Sequence, residues 1–173
     1  MNNFCQLARQ SLAHYLNQGT VMKDSRRVGY RAGCFVSLHS PDGALRGCIG
    51  TISPVEDDLV SEIIQNAVSC GTRDPRFPPV SPSELPDLKI EVSVLKPPQP
   101  ILNLSELDHR RYGVVVEQGH KRGVLLPDLE GVDSVEQQLA ITKRKASIFN
   151  NDPLTISRFE VEKHHESPQP GNH

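Results

Sequence analysis

The chain lacks most of the signatures by which a sequence announces its chemistry. Its four cysteines, Cys5, Cys34, Cys48 and Cys70, include no CxxC pair, which argues against a zinc knuckle and against a thioredoxin-like redox site. No GxGxxG opens a helix, so a dinucleotide cofactor is not indicated. His164, His165 and Glu166 follow one another without the i, i+4 histidine spacing of a zinc helix, and they read as the end of a surface strand rather than a metal site. Neither a cofactor nor a metal is expected. An excess of one charge is missing too: 19 Lys plus Arg against 21 Asp plus Glu leave a formal net charge of −2, without the basic footprint of a nucleic-acid binder. The basic runs at 109–111, 120–122 and 143–145 could gather into a polyanion patch, but solvated faces are the usual explanation. No segment has the apolar length that a bilayer requires, and "MNNFCQLARQSLAHYLNQGT" has no signal-peptide core. Together these absences predict a cytoplasmic protein with reduced thiols, working away from membranes and nucleic acid.

What is present is a mixture of helical and strand periodicities. Phe4, Leu7, Ala8, Ser11, Leu12, Tyr15 and Leu16 recur at helical spacing, and Gly19 follows as a stop. "CFVSLHS" and "LRGCIGTI" flank "PDGA" as a hairpin. Two turns fit it. Ser40-Pro41-Asp42-Gly43 suits a type I turn with a glycine bulge, whereas Asp42-Gly43 alone suits a two-residue loop. Hydrophobic patterning favours the second, which puts Val36 and Leu38 on one face with Leu45 and Ile49 and sets His39 opposite Arg46. Ser53-Pro54-Val55-Glu56 has the form of a capping box opening a helix that carries Leu59, Val60, Ile63, Ile64, Ala67 and Val68 and ends near Gly71. The prolines of "TRDPRFPPV" dictate an ordered or extended loop. Ser81-Pro82-Ser83-Glu84 repeats the capping pattern over a short turn, and "LKIEVSVL" follows as a half-buried strand with Glu91 on its second face.

The proline-rich "KPPQPILN" connects to a second hairpin, "GVVVEQ" and "RGVLLP" around Gly119-His120-Lys121. Asp133-Ser134-Val135-Glu136 caps a helix running to about Ala146, and "TISRFEVEKH" closes the fold as one strand. Helices and antiparallel hairpins without regular βαβ alternation define an α+β class. A single domain over 1–165 is expected, with 166–173 as a mobile tail.

The chemistry concentrates in "LRGCIG", Leu45 to Gly50. Strand alternation turns Arg46, Cys48 and Gly50 to one face and Leu45, Gly47 and Ile49 to the other. A guanidinium beside a thiol favours the thiolate, which makes Cys48 a candidate nucleophile. His39 is a proton acceptor within hairpin reach, while His109 and His120 could serve only through the fold. The competing reading, Cys48 as a buried apolar filler, is favoured by how cysteines usually behave. Arg46, Arg73 and Arg76 could form a fork for a carboxylate or phosphate, with Gly47 and Gly50 admitting a ligand to the backbone. Against this stands an internal network in which Asp74 and Glu91 satisfy the arginines, and the two carboxylates at hand favour it.

"GCFVSLHSPDGALRGCIG", "TRDPRFPPVSPSELPDLKIEVSVL", "RYGVVVEQGHKRGVLLP" and "RFEVEKH" together resemble the AMMECR1-domain family over nearly the whole chain. The resemblance implies a compact α+β fold of two intertwined subdomains around a mainly antiparallel sheet, with a cleft near the hallmark residues. It carries over Leu45 to Gly50, Arg73, Asp74, Pro75, Arg76, Phe77 and Glu91 as the positions of the family pattern. Cys70-Gly71 and "SIFNNDPLTIS" depart from that pattern. The family implies no settled activity, but it implies a Memo-like protein and a radical SAM enzyme as partners. Two functions stand ahead of a third, a nucleic-acid-associated regulator whose binding would weaken steeply with salt. One is an accessory or binding domain that presents the Arg and Cys cluster to an anionic ligand or partner; the other is an enzyme in which Cys48 does thiol chemistry on an arginine-held substrate.

Overall fold

The computed structural model describes residues 3–166. In chain order its elements are α1 (Phe4–Gln18), β1 (Cys34–His39), β2 (Leu45–Thr51), α2 (Leu59–Thr72), β3 (Lys89–Leu95), β4 (Gln99–Pro100), β5 (Gly113–Gln118), β6 (Lys121–Leu125), α3 (Val135–Lys145), β7 (Thr155–Phe159) and β8 (Val161–His165). Single 3-10 turns add Leu85–Asp87 and Leu104–Glu106. The chain divides into two units: the first runs to Leu95 and resumes at Glu162, and the second is Lys96–Val161. The strands form two four-stranded sheets, ordered β2-β1-β3-β8 and β4-β7-β5-β6, with antiparallel pairing along both. This is the expected α+β class.

In the first unit, α1 starts where Asn3 accepts from the Gln6 amide and stops where Gly19 turns to φ +74°, a backbone region that favours glycine. Its buried stripe, Phe4, Leu7, Ala8 and Leu12, packs with Leu59 and Ile63 of α2 and with Val36, Leu38, Ile90 and Val92 of the sheet. Each fully buried aliphatic side chain contributes about 1.5–3 kcal/mol. Gly71 lets the two helices close up, because a Cβ there would lie 2.4 Å from a Leu12 methyl. Glu166, assigned by sequence to a mobile tail, is held by Arg9 at 2.8 Å and by the Ile90 amide. The rest of that tail, 167–173, lies outside the described residues.

Three local expectations are corrected. The capping box at Ser53 does not start α2; Asp58 is the N-cap, its carboxylate accepting from Val60. Buried Glu62 instead takes the amides of Val55 and Glu56 and the Thr51 hydroxyl, so a tertiary carboxylate overrides the local signature. The first hairpin uses the type I turn, with Gly43 N bonded to Ser40 O and Gly43 at φ +91°. "TISRFEVEKH" is not one strand: it breaks at Glu160 into β7 and β8, which belong to different sheets.

The second unit buries Val114, Val116, Leu125, Leu139 and Ile148 between its sheet and α3. Its hairpin turns on Gly119-His120, with Lys121 already in β6 rather than in the turn, and Ser134 within the expected 133–136 stretch caps α3. Among the described residues, no helix is long and apolar enough to cross a membrane.

Candidate functional site

The hallmark stretch forms β2, the edge strand of the first sheet. Val36 faces Ile49, Ser37 faces Cys48 and Leu38 faces Gly47, but His39 faces Leu45, so Arg46 is the extra residue of a bulge. The type I turn shifts the pairing by one residue, and the bulge restores it. The strict alternation expected to pair Arg46 with Cys48 is therefore interrupted at Arg46. Its guanidinium goes to Glu84, with Nε 2.6 Å from Oε1 and Nη2 3.2 Å from Oε2. That bond holds the Glu84 carboxyl below its ordinary range. Arg46 is only 14% exposed, so this bidentate pair leaves it little access to a ligand.

Both glycines are occupied by the protein itself rather than left open for a ligand. A Cβ on Gly47 would lie 2.7 Å from the Cys70 carbonyl at the end of α2, and one on Gly50 would lie 2.4 Å from the Phe35 ring. Gly47 thus allows the helix to seat on the strand, and Gly50 lies under an aromatic side chain of the neighbouring strand.

Cys48 faces the open edge of the sheet through its backbone. Asp74 Oδ2 accepts from its amide at 3.0 Å, and Arg76 Nη2 donates to its carbonyl at 3.3 Å. Asp74 and Arg76 are joined by three further bonds, from the Arg76 amide at 3.0 Å and from its guanidinium at 3.1 and 2.8 Å. The pair occupies the place of an absent strand. Hydrogen bonding from Arg76, then from the amides of Cys48 and Arg76, holds the Asp74 carboxyl well below the usual carboxylate range against the opposing effect of burial. The same contact raises Arg76. Asp74 is 2% exposed, but Arg76 is 56% exposed, so the guanidinium is fixed along one edge and open along the other. Arg73, at the C-terminal end of α2, is exposed and forms no ion pair with a described residue.

The cysteines divide sharply. Burial pushes the Cys34 and Cys70 thiols up to about 12 and Cys5 to about 11; these three are buried, and only Cys48 is half-buried. Its sulfur accepts from the Ser37 hydroxyl at 3.2 Å. Ser37 is also the partner of Glu91 on β3, so Cys48, Ser37 and Glu91 form a row across three strands. Glu91 does not join the arginines as the internal network required; the His165 imidazole lies beside it, with Nε2 3.9 Å from Oε1. His39 pairs across the hairpin with Leu45 rather than with Arg46, and it lines a broad groove with Lys89, Glu91 and His165. His109 and His120 belong to the second unit.

Three residues at this site were not singled out from sequence as site residues: Glu84, Ser37 and His165. Glu84 carried a signal, since its capping box leaves a carboxylate near a turn, and it does reach back to the Ser81 amide at 3.4 Å. The "HHE" run disperses: His164 meets Glu162 at 2.7 Å, His165 approaches Glu91, and Glu166 binds Arg9. Among the described residues, no three His, Cys, Asp or Glu side chains converge to hold a metal ion.

Comparison with known proteins bears on the family and the fold. The family model described as AMMECR1 matches residues 5–164. A Thermotoga maritima protein is 47% identical over 167 residues, covering 93% of this chain and 96% of the relative. A Clostridium acetobutylicum protein is 44% identical over 170 residues, covering 95% of this chain but 36% of the relative, so this chain spans about a third of that protein's length. The crystal structure of an uncharacterized protein from Pyrococcus horikoshii superposes with a TM-score of 0.83 at 33% identity, covering 92% of this chain and 88% of that one.

Proposed function

We propose, from the premise that the chain belongs to the AMMECR1 family, that it is a cytoplasmic accessory binding domain whose Arg76, flanked by Cys48 and Arg73, receives an anionic group. The observation that carries this reading is the asymmetry of the arginines. Arg46 is spent on Glu84, whereas buried Asp74 orients Arg76 and leaves its side chain 56% exposed. A pre-oriented guanidinium is the side chain best suited to a carboxylate or phosphate. The family resemblance supplies a Memo-like protein and a radical SAM enzyme as the partners to which the group belongs. The long Clostridium relative fits that reading, since there the matched region shares its polypeptide with further sequence.

Titration with inorganic phosphate, followed by NMR at the Arg76 side chain and the Cys48 amide, tests it. Saturable shifts at both positions are expected, with affinity falling about tenfold or more in Arg76→Gln. Shifts elsewhere only, or none, would end the proposal. A second reading, Cys48 as a nucleophile, draws on the Ser37 hydroxyl donating to its sulfur. Selective alkylation of Cys48 with a midpoint well under about pH 8.5 would favour it.

A further inference from the structure

The second unit has an edge strand of a different kind. β6 is the last strand of its sheet, and Val124 C=O points outward from it, because Lys145 Nζ binds that oxygen at 2.8 Å. Outward-facing groups recur at every second residue of an antiparallel edge, so the N–H and C=O of Arg122 face the same way. Neither takes a hydrogen bond outside the strand from a described residue. Cations gather around this opening. Gly123 seats β6 on α3, since a Cβ there would lie 2.4 Å from the Thr142 carbonyl and 2.9 Å from the Ala146 methyl. That approach brings the run 120–122 against the run 143–145. Lys121 Nζ then reaches the Ser147 carbonyl at 3.0 Å.

Lys121, Arg122, Lys143 and Arg144 form no ion pair with a described residue. The acids at this corner are Glu117, opposite Arg122 in the ladder, and Asp152, whose carbonyl takes the Gln118 amide group at 3.0 Å. The four cations outnumber these two carboxylates.

We propose that the β6 edge docks an extended acidic segment of a partner protein. The segment adds a strand by pairing with the Arg122 backbone, and its carboxylates at alternate positions meet Lys121 and the cations ending α3. A peptide is favoured over a nucleic acid because Arg122 C=O requires a donor opposite it, which a phosphate backbone does not supply. Main-chain pairing provides affinity, and the cations select for acidic side chains.

The probe is a labelled peptide of about ten residues alternating Glu and Thr, long enough to span the strand, with a Gln-Thr peptide as control, applied to the full chain. Binding that weakens with salt is expected, together with slowed hydrogen exchange of the Arg122 amide. Lys143→Gln combined with Arg144→Gln should weaken it about five- to tenfold. Arg122→Gln keeps the outward N–H, whereas Arg122→Pro removes it without breaking a ladder bond; the proline variant should bind about tenfold more weakly than the glutamine variant. Equal binding by those two variants, equal binding of the Gln-Thr control, or tighter binding of a single-stranded oligonucleotide would overturn the proposal. If Arg122→Pro does not fold, the amide decides: unchanged exchange at Arg122 under saturating peptide also overturns it.

Discussion

The edges β2 and β6 solve the same physical problem with different chemistry. At β2, a carboxylate and a guanidinium from one loop cover both outward groups of Cys48, and the carboxylate is buried. At β6, a lysine covers the Val124 carbonyl from the helix side, and the outward backbone of Arg122, two residues away, stays open to the described residues. An unpaired edge invites another chain. The first edge is closed by a pair that is costly to disrupt, because breaking it strands a buried charge. The second is covered by an exposed ammonium that exchanges readily with water. A closed edge suits a fixed site, and an open one suits a docking strand.

The comparison breaks first at Asp74. Asp74→Asn should lower stability by about 2–3 kcal/mol in urea unfolding, through loss of charge-assisted bonds to Arg76 and Cys48. Because the Asp74 carboxyl is held below its ordinary range, its contribution is present in full above about pH 4, the ordinary carboxylate value. It is lost as pH falls from there through the folded-state value. The stability gap between the native chain and Asp74→Asn should therefore narrow only on the acid side of that limit; a gap that stays constant into acid would show that the charge is not what closes the edge. Gly47→Ala should cost about 2 kcal/mol, since the new methyl meets a backbone carbonyl that cannot rotate away. A neutral result in thermal unfolding would mean that α2 is not seated on β2. Glu84→Gln should cost about 1 kcal/mol, leaving Arg46 a neutral acceptor, and double-mutant coupling between Arg46 and Glu84 measures it. Lys145→Gln should change stability by less than about 0.5 kcal/mol; a larger loss would make the second edge as firmly closed as the first.

Much of the fold was legible where the signal is local. α1 with its glycine stop, the existence of the second hairpin and the helix start within 133–136 depend on residues a few positions apart, and sequence reading found them. Reading failed where distant groups outbid local ones. Ser53 to Glu56 has the form of a helix start, but Glu62 draws those amides into a loop. The Arg46 alternation fails because a turn one residue longer demands a bulge, which no hydrophobic pattern marks. At the site, the family pattern supplied Arg76 and Asp74 as residues but not their pairing, and Glu84 is 38 positions from Arg46. Ser37 was hidden by its ordinariness: only strand register makes it the link between Cys48 and Glu91.

The interruption of the first unit has a consequence for synthesis. Its sheet needs β8, which emerges only after the entire second unit, whereas Lys96–Val161 is contiguous. On the ribosome the second unit can fold as it appears, while β3 must wait with one flank exposed until β8 follows and Glu166 latches onto Arg9. A nascent chain stalled just short of that latch should be the form most at risk of proteolysis.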